Sequence, residues 1–448
     1  MTVRPQTVDR LFLHLHRAGL PGQIYWYVVV SGEIERDVLA RALHATLAEE
    51  PRLSSTVVSG WLRHARKTRS WTLDEVRGLV VEGPFAGDER QPIAERWDLA
   101  KDPPIRVAME RTADRRTRIV MALHHSVSDA LGALEILKRL GEHCRAIESG
   151  RALRPRGRPG ATRGYGAFFF ELSGSARWRL VRRFARQLAG MISFGGYRTG
   201  SSACATFADS KEPGCVGPLQ FCVVRLPWEQ VGRLLRVALR YRGTLTDLLL
   251  AVVLRAGCRV WPDASRPVVH ASVPLSLRNS SFLGNPVLPN NVLVPWPQDR
   301  RLDELMSMIV EQSGRRRGVE GGLFQAAERM MLSVLPPWLA SLLIRRAFAG
   351  KENTRETLTF TSLGQLEPCI REFGDRPVAD AYCVGSLLAP PGLKIAVVPA
   401  TGSLNLVIHW LGGVTGPEQI KALISEIKFD LDGLLSEPAV THHAEAMS

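Results

Sequence analysis

Met121-Ala-Leu-His124-His125-Ser-Val-Ser-Asp129-Ala130-Leu131 places two adjacent histidines at the end of an apolar run, and four residues later an aspartate opens a helical pattern. Upstream, Thr117–Leu123 is short, apolar and partly β-branched, which predicts a buried strand. Downstream, Leu131, Leu134, Leu137 and Leu140 recur at helical spacing, with Ala133 and Ile136 beside them. The stretch is therefore a strand-to-helix corner. Neighbouring strand residues point to opposite sides, so one histidine faces a cavity while the other turns into the body of the protein. With an ordinary pKa of about 6.5, a neutral imidazole is available there as a proton acceptor. Asp129 stands where a carboxylate accepts hydrogen bonds from the first free N–H groups of a helix, so a cap is the alternative to a chemical role.

The 448 residues exceed the roughly 250–300 that one core usually serves, so two domains are expected. With 45% hydrophobic and 23% charged residues the composition is that of a soluble globular protein. Cysteines 144, 204, 215, 222, 258, 369 and 383 are odd in number and lack a Cys-x-x-Cys pair, which predicts free thiols in a reducing compartment. No secretory leader and no run of about 18 apolar residues is visible, so a cytoplasmic location is expected, peripheral membrane contact being the variant.

Of the net charge of +14, +10 lies between Arg151 and Gly200, where eleven arginines face one acidic residue, Glu171. Within that block Trp178, Val181, Phe184, Leu188 and Ile192 fall at helical steps while Arg177, Arg179, Arg182, Arg183 and Arg186 point mostly elsewhere, predicting a basic amphipathic helix. Either its apolar stripe is buried and its arginines solvated, or residues 175–194 meet an anionic membrane, an acidic carrier protein or the phosphates of coenzyme A. Pro336–Phe348 is a second apolar stretch carrying arginines. Zinc-finger spacing and aromatic RNA-binding signatures are missing, so no nucleic-acid partner is expected. No metal-ligand spacing and no phosphate loop occurs, and His14, His16 and His409 read as packing or surface residues rather than ligands.

The spacing His124-His125-x-x-x-Asp129 resembles the His-His-x-x-x-Asp-Gly signature of the condensation-domain and chloramphenicol-acetyltransferase-like superfamily, with Ala130 in place of the glycine. Its relatives include peptide-synthetase condensation domains, wax ester synthase/diacylglycerol acyltransferases and polyketide-associated acyltransferases. Further landmarks follow in the family's order along nearly the whole chain: Thr7–Leu13, the helix Glu35–Leu47 with Glu50-Pro-Arg-Leu53, Trp97–Arg106, Val273–Arg278 with Gly284-Asn285 and Asn290-Asn291, Leu358–Gly364 and Leu404–Trp410.

What the resemblance implies is an α/β fold of two chloramphenicol-acetyltransferase-like subdomains, each an α+β two-layer sandwich, set in a V around a central tunnel. The expected division is 1–165, a basic linker 166–215, 216–437 and a flexible tail 438–448. The implied activity is acyl transfer from a coenzyme A or carrier-protein thioester to a hydroxyl or amine, with no bound cofactor or metal. His125 would be the general base, Asp129 a mainly structural partner of Arg278, and His124 a residue that shapes the loop. Asn291 and Ser362 would help stabilise the oxyanion. No Gly-x-Ser-x-Gly elbow supplies an acylated serine, which agrees with direct attack. A condensation enzyme joining carrier-bound intermediates and a non-catalytic scaffold that kept the tunnel are the alternatives, the latter motivated by Ala130.

Overall fold

The expected strand and helix around the paired histidines form as Arg116–His124 and Ala130–Glu148. A computed structural model describes residues 2–3, 7–84 except 21 and 62, 97–153, 173–193, 218–261, 268–276, 287–295, 301–316, 333, 335–349, 357–387 except 365, 366 and 368, and 392–436. Among them the helices are α1 (Thr7–Arg17), α2 (Arg36–Glu49), α3 (Leu73–Arg77), α4 (Ala130–Glu148), α5 (Gly174–Ser193), α6 (Trp228–Arg240), α7 (Leu245–Val260), α8 (Leu302–Arg316), α9 (Pro337–Ala349) and α10 (Pro417–Ser436).

Two mixed sheets of six strands organise the described residues. The first runs β12 (Glu372–Phe373), β13 (Arg376–Val384), β2 (Gln23–Ser31), β7 (Arg116–His124), β6 (Ile105–Arg111), β5 (Val80–Glu82). The second runs β10 (Val287–Pro295), β9 (Val268–Ser276), β11 (Leu358–Ser362), β14 (Leu393–Pro399), β15 (Ser403–Leu411), β8 (Leu219–Pro227). A small sheet of β1 (Thr2–Val3), β4 (His64–Thr68) and β3 (Ser55–Ser59) lies beside the first.

Each large sheet has its own core. α2 and α4 bury Leu39, Leu43, Leu134 and Leu137 with β2 and β7, while α7, α8 and α10 bury Leu248, Val252, Leu305 and Leu423 with β11, β14 and β15. Ile24–Val28 and all nine residues of β15 are buried, as residues of a strand covered on both faces are, the polar Ser403, Asn405 and His409 included. Helix α7 starts on a capping box, Thr244 and Asp247 each bonding the other's backbone N–H. This is the expected mixed α/β, two-subdomain fold.

Sequence order does not follow the sheets throughout. β13 comes from the second half of the chain yet pairs with β2, from Val384 opposite Tyr25 to Val378 opposite Val30. Its carboxylate Asp380 accepts from Arg225 Nη2 at 2.6 Å and Asn405 Nδ2 at 2.9 Å, both from the second sheet. Tyr27 and Tyr382 stack with ring centroids 4.9 Å apart, and Phe221 of β8 tilts against both. The first sheet is therefore completed and held by residues of the second half.

Candidate active site

β7 ends at His124 because the chain must turn, and Asp129 then starts α4 as its N-cap, its Oδ1 accepting from the Gly132 N–H at 2.8 Å. Ala130 is the first helical residue and does not fall among the positive-φ positions, so the backbone there makes no demand that only glycine meets. Its carbonyl accepts from Trp26 Nε1 at 3.0 Å, tying the helix start to β2. The departure from the signature glycine thus leaves the corner intact.

The strand alternation separates the two histidines. His124 is fully buried, and its Nδ1 accepts from the Ser126 N–H at 3.2 Å with the Ser126 hydroxyl 2.8 Å away. Ser126 in turn accepts from the buried Arg66 of β4, whose Nη2 lies 2.8 Å from its carbonyl and 2.6 Å from its hydroxyl. Burial above all, then the positive neighbours His16 and Arg66, holds the His124 pKa far below the usual histidine value, so this ring stays neutral. Gly22 lies against its far edge, where a Cβ would come 2.9 Å from Nε2.

His125 alone between Met121 and Asp129 keeps part of its side chain accessible. Its N–H donates to the Gly22 carbonyl at 2.6 Å, and its ring stacks on Phe12 of α1 with centroids 3.8 Å apart and planes 10° from parallel. Stacking covers one face of the imidazole and holds its plane. The sequence landmark around Thr7–Leu13 therefore supplies the ring that orients His125. The landmark Trp97–Arg106 packs behind the corner: Trp97 tilts against His124, Arg106 lies over Trp97, and the Pro104 carbonyl accepts the His124 N–H at 2.9 Å.

Ser362 ends β11 in the second sheet, half-buried, with its hydroxyl accepting from the Gly364 N–H at 3.2 Å in a turn where Gly364 has φ +71. The neighbouring Leu363 packs against the first core. Asn291 lies on β10 opposite Ser272, but its side chain is outside the described residues, and so is Arg278. The contributions of Phe12, Arg66 and Ser126 carry no local sequence signal: a phenylalanine on an apolar helix, an arginine on a basic hairpin and a serine in a loop look ordinary until tertiary packing places them.

Other expectations resolve as follows. His14 and His409 are buried packing residues. Cys144, Cys222, Cys258, Cys369 and Cys383 are free thiols, pushed up by burial, and Cys204 and Cys215 lie outside the described residues, as does the tail from 437. Among the described residues no His, Cys, Asp and Glu cluster can hold a metal, and no helix is long and apolar enough to cross a membrane. The basic helix forms as α5, but the face it buries carries Ala176 and Leu180, whereas Trp178 and Val181 are 62% and 44% exposed. Trp178 and Val181 are therefore not on the buried face of α5, and the side chains of Phe184, Leu188 and Ile192 lie outside the described residues. A cavity of about 540 Å³ opens at the far end of the sheets, lined by Arg116, Arg118, Arg225, Asp114 and Asp380. It lies six residues along β7 from His124, beyond the Tyr27–Tyr382–Phe221 cluster, and its arginines are paired with carboxylates.

No family model and no curated protein matches the sequence. Solved structures match over nearly the whole chain. The trichothecene 15-O-acetyltransferase TRI3 from Fusarium sporotrichioides is 12% identical with TM-score 0.71, covering 97% of this chain and 95% of that one. A mutant starter condensation domain of rhizomide synthetase RzmA, in complex with C8-CoA and Leu-SNAC, is 15% identical with TM-score 0.64, covering 97% and 94%. The nonribosomal peptide synthetase FmoA3 is 18% identical with TM-score 0.64, and this chain, covered over 97%, spans 45% of it. The chain therefore has the fold shared by condensation domains and this acetyltransferase.

Proposed function

We propose that the protein is an acyltransferase that moves an acyl group from a coenzyme A or carrier-protein thioester to a hydroxyl or amine. The observation that carries the reading is the corner itself: a half-buried, stacked His125 backed by a neutral, fully buried His124 and by a helix capped with Asp129. An in-plane nitrogen of neutral His125 takes the proton as the nucleophile attacks the thioester carbonyl carbon. The tetrahedral intermediate then expels the thiolate, which receives that proton, so no acyl-enzyme forms and the imidazole is regenerated. Ser362 is the candidate for hydrogen bonding to the oxyanion, and Arg278, which lies outside the described residues, is the candidate for pairing with Asp129.

The fold shared with a C8-CoA-bound condensation domain and an acetyltransferase supports thioester donors. The absence of a positive φ at Ala130 weighs against the non-catalytic reading, since no glycine-only backbone is required there. Exposed Trp178 and Val181, next to Arg179 and Arg182 on α5, support peripheral contact through 175–194 with an anionic membrane or an acidic carrier. The test is free-thiol release from a panel of acyl-coenzyme A donors and pooled alcohol and amine acceptors. Acceptor-dependent release is expected from the wild type and not from His125→Ala; equal release from both refutes the role of His125.

A further inference from the structure

Lys394 leaves β14 on the same face as Ala396 and Val398, which pack into the first core, whereas Leu393, Ile395 and Val397 pack into the second. Strand alternation therefore sends the lysine into the seam between the two sheets. Its Nζ lies 3.5 Å from the Ser386 carbonyl oxygen and occupies space that a side chain on Gly385 would fill. Val384 sits opposite Tyr25 on β2, and Gln23 sits opposite His124 on β7. Gly385 and Ser386 follow β13 directly, at the end of the first sheet where Gln23 and His124 close the β2–β7 ladder.

Among the described residues, the groups around this amine supply no counter-charge. His409, opposite Lys394 on β15, bonds the lysine's own carbonyl through Nδ1 and is held neutral by burial. The Cys383 thiol is pushed up to about 12 by burial and stays protonated. Among the described residues Lys394 forms no ion pair, yet it keeps some accessible surface deep in the seam. Burial pulls the Lys394 pKa down from the ordinary lysine value, so the protonated amine is a cost to the fold unless a ligand supplies the missing oxygen.

We infer that Lys394 recognises an oxyanion of the substrate, a carboxylate carried on the acyl chain or on the acceptor, in the seam at the end of the first sheet that carries the paired histidines. The inference rests on the acyl-transfer reading for what the substrate is. Calorimetric titration of succinyl-coenzyme A against butyryl-coenzyme A tests the acyl chain, and a panel of free amino acids against their amides tests the acceptor. In one arm the carboxylated member should bind at least tenfold more tightly to the wild type, and Lys394→Met should erase that difference, leave the neutral member unchanged, and melt no lower than the wild type. Equal binding within both pairs, or a Lys394→Met variant that melts lower and weakens both members alike, overturns the inference while the acyl-transfer reading stands. Failure of every thioester and acceptor to bind overturns both.

Discussion

Asp129 and Phe12 show how single side chains divide the work at the corner. The Asp129 cap contributes on the order of 1 kcal/mol, so Asp129→Ala should lower the melting temperature, whereas Asp129→Ser keeps a capping oxygen and should restore it. If Asp129 also pairs with Arg278, activity should stay low in the serine variant although stability returns; recovery of both by serine would reduce Asp129 to a cap. Phe12→Ala removes a stacked ring, an interaction of about 0.5–1.5 kcal/mol, and should lower turnover about tenfold at nearly unchanged substrate affinity. Unaltered turnover would show that the stack does not orient His125. The histidines and the aspartate were legible because their spacing and the flanking strand and helix patterns agree. Phe12, Ser126, Arg66 and Lys394 were not, since each acquires its meaning from a partner distant in sequence or across a sheet.

At the scale of elements, α1 and the β3–β4 hairpin are joined by a buried histidine pair, His64 Nε2 lying 3.1 Å from His14 Nδ1. Burial pulls His14 down to about 4 and His64 to about 3 from the ordinary 6.5. The unfolded chain therefore binds protons that the folded chain refuses: the stabilisation is complete above about pH 6.5 and is lost as pH falls through about 4 towards 3. His14→Gln/His64→Gln should flatten the fall of melting temperature across that window; an unchanged slope would contradict the assignment. For α5, flotation with anionic vesicles at low salt should decrease in Trp178→Ser and vanish at high salt, while flotation with neutral vesicles should be absent. Failure to float with anionic vesicles would remove the membrane option. The periodicity that predicted α5 was sound, but it left open whether the Trp178 stripe is buried, because periodicity ranks apolarity and does not say which face packs; the fold buries Ala176 and Leu180 and leaves Trp178 exposed.

For the whole molecule, the insertion of β13 into the first sheet makes the halves interdependent. Without it β2 would become a bare edge and Asp380 would leave Arg225 and Asn405, so calorimetry should record one cooperative unfolding transition. Two resolved transitions would show independent halves. The two-subdomain fold was legible because landmarks in fixed order span the chain; the exchange of β13 was not, because a strand's sequence does not name its neighbour. The central claim, direct acyl transfer assisted by His125, is tested most directly by single-turnover thiol release from acyl-coenzyme A with a competent acceptor, comparing wild type with a folded His125→Ala. The mechanism predicts loss of about 10²–10⁴ in rate with donor binding retained; a variant as fast as the wild type would contradict it.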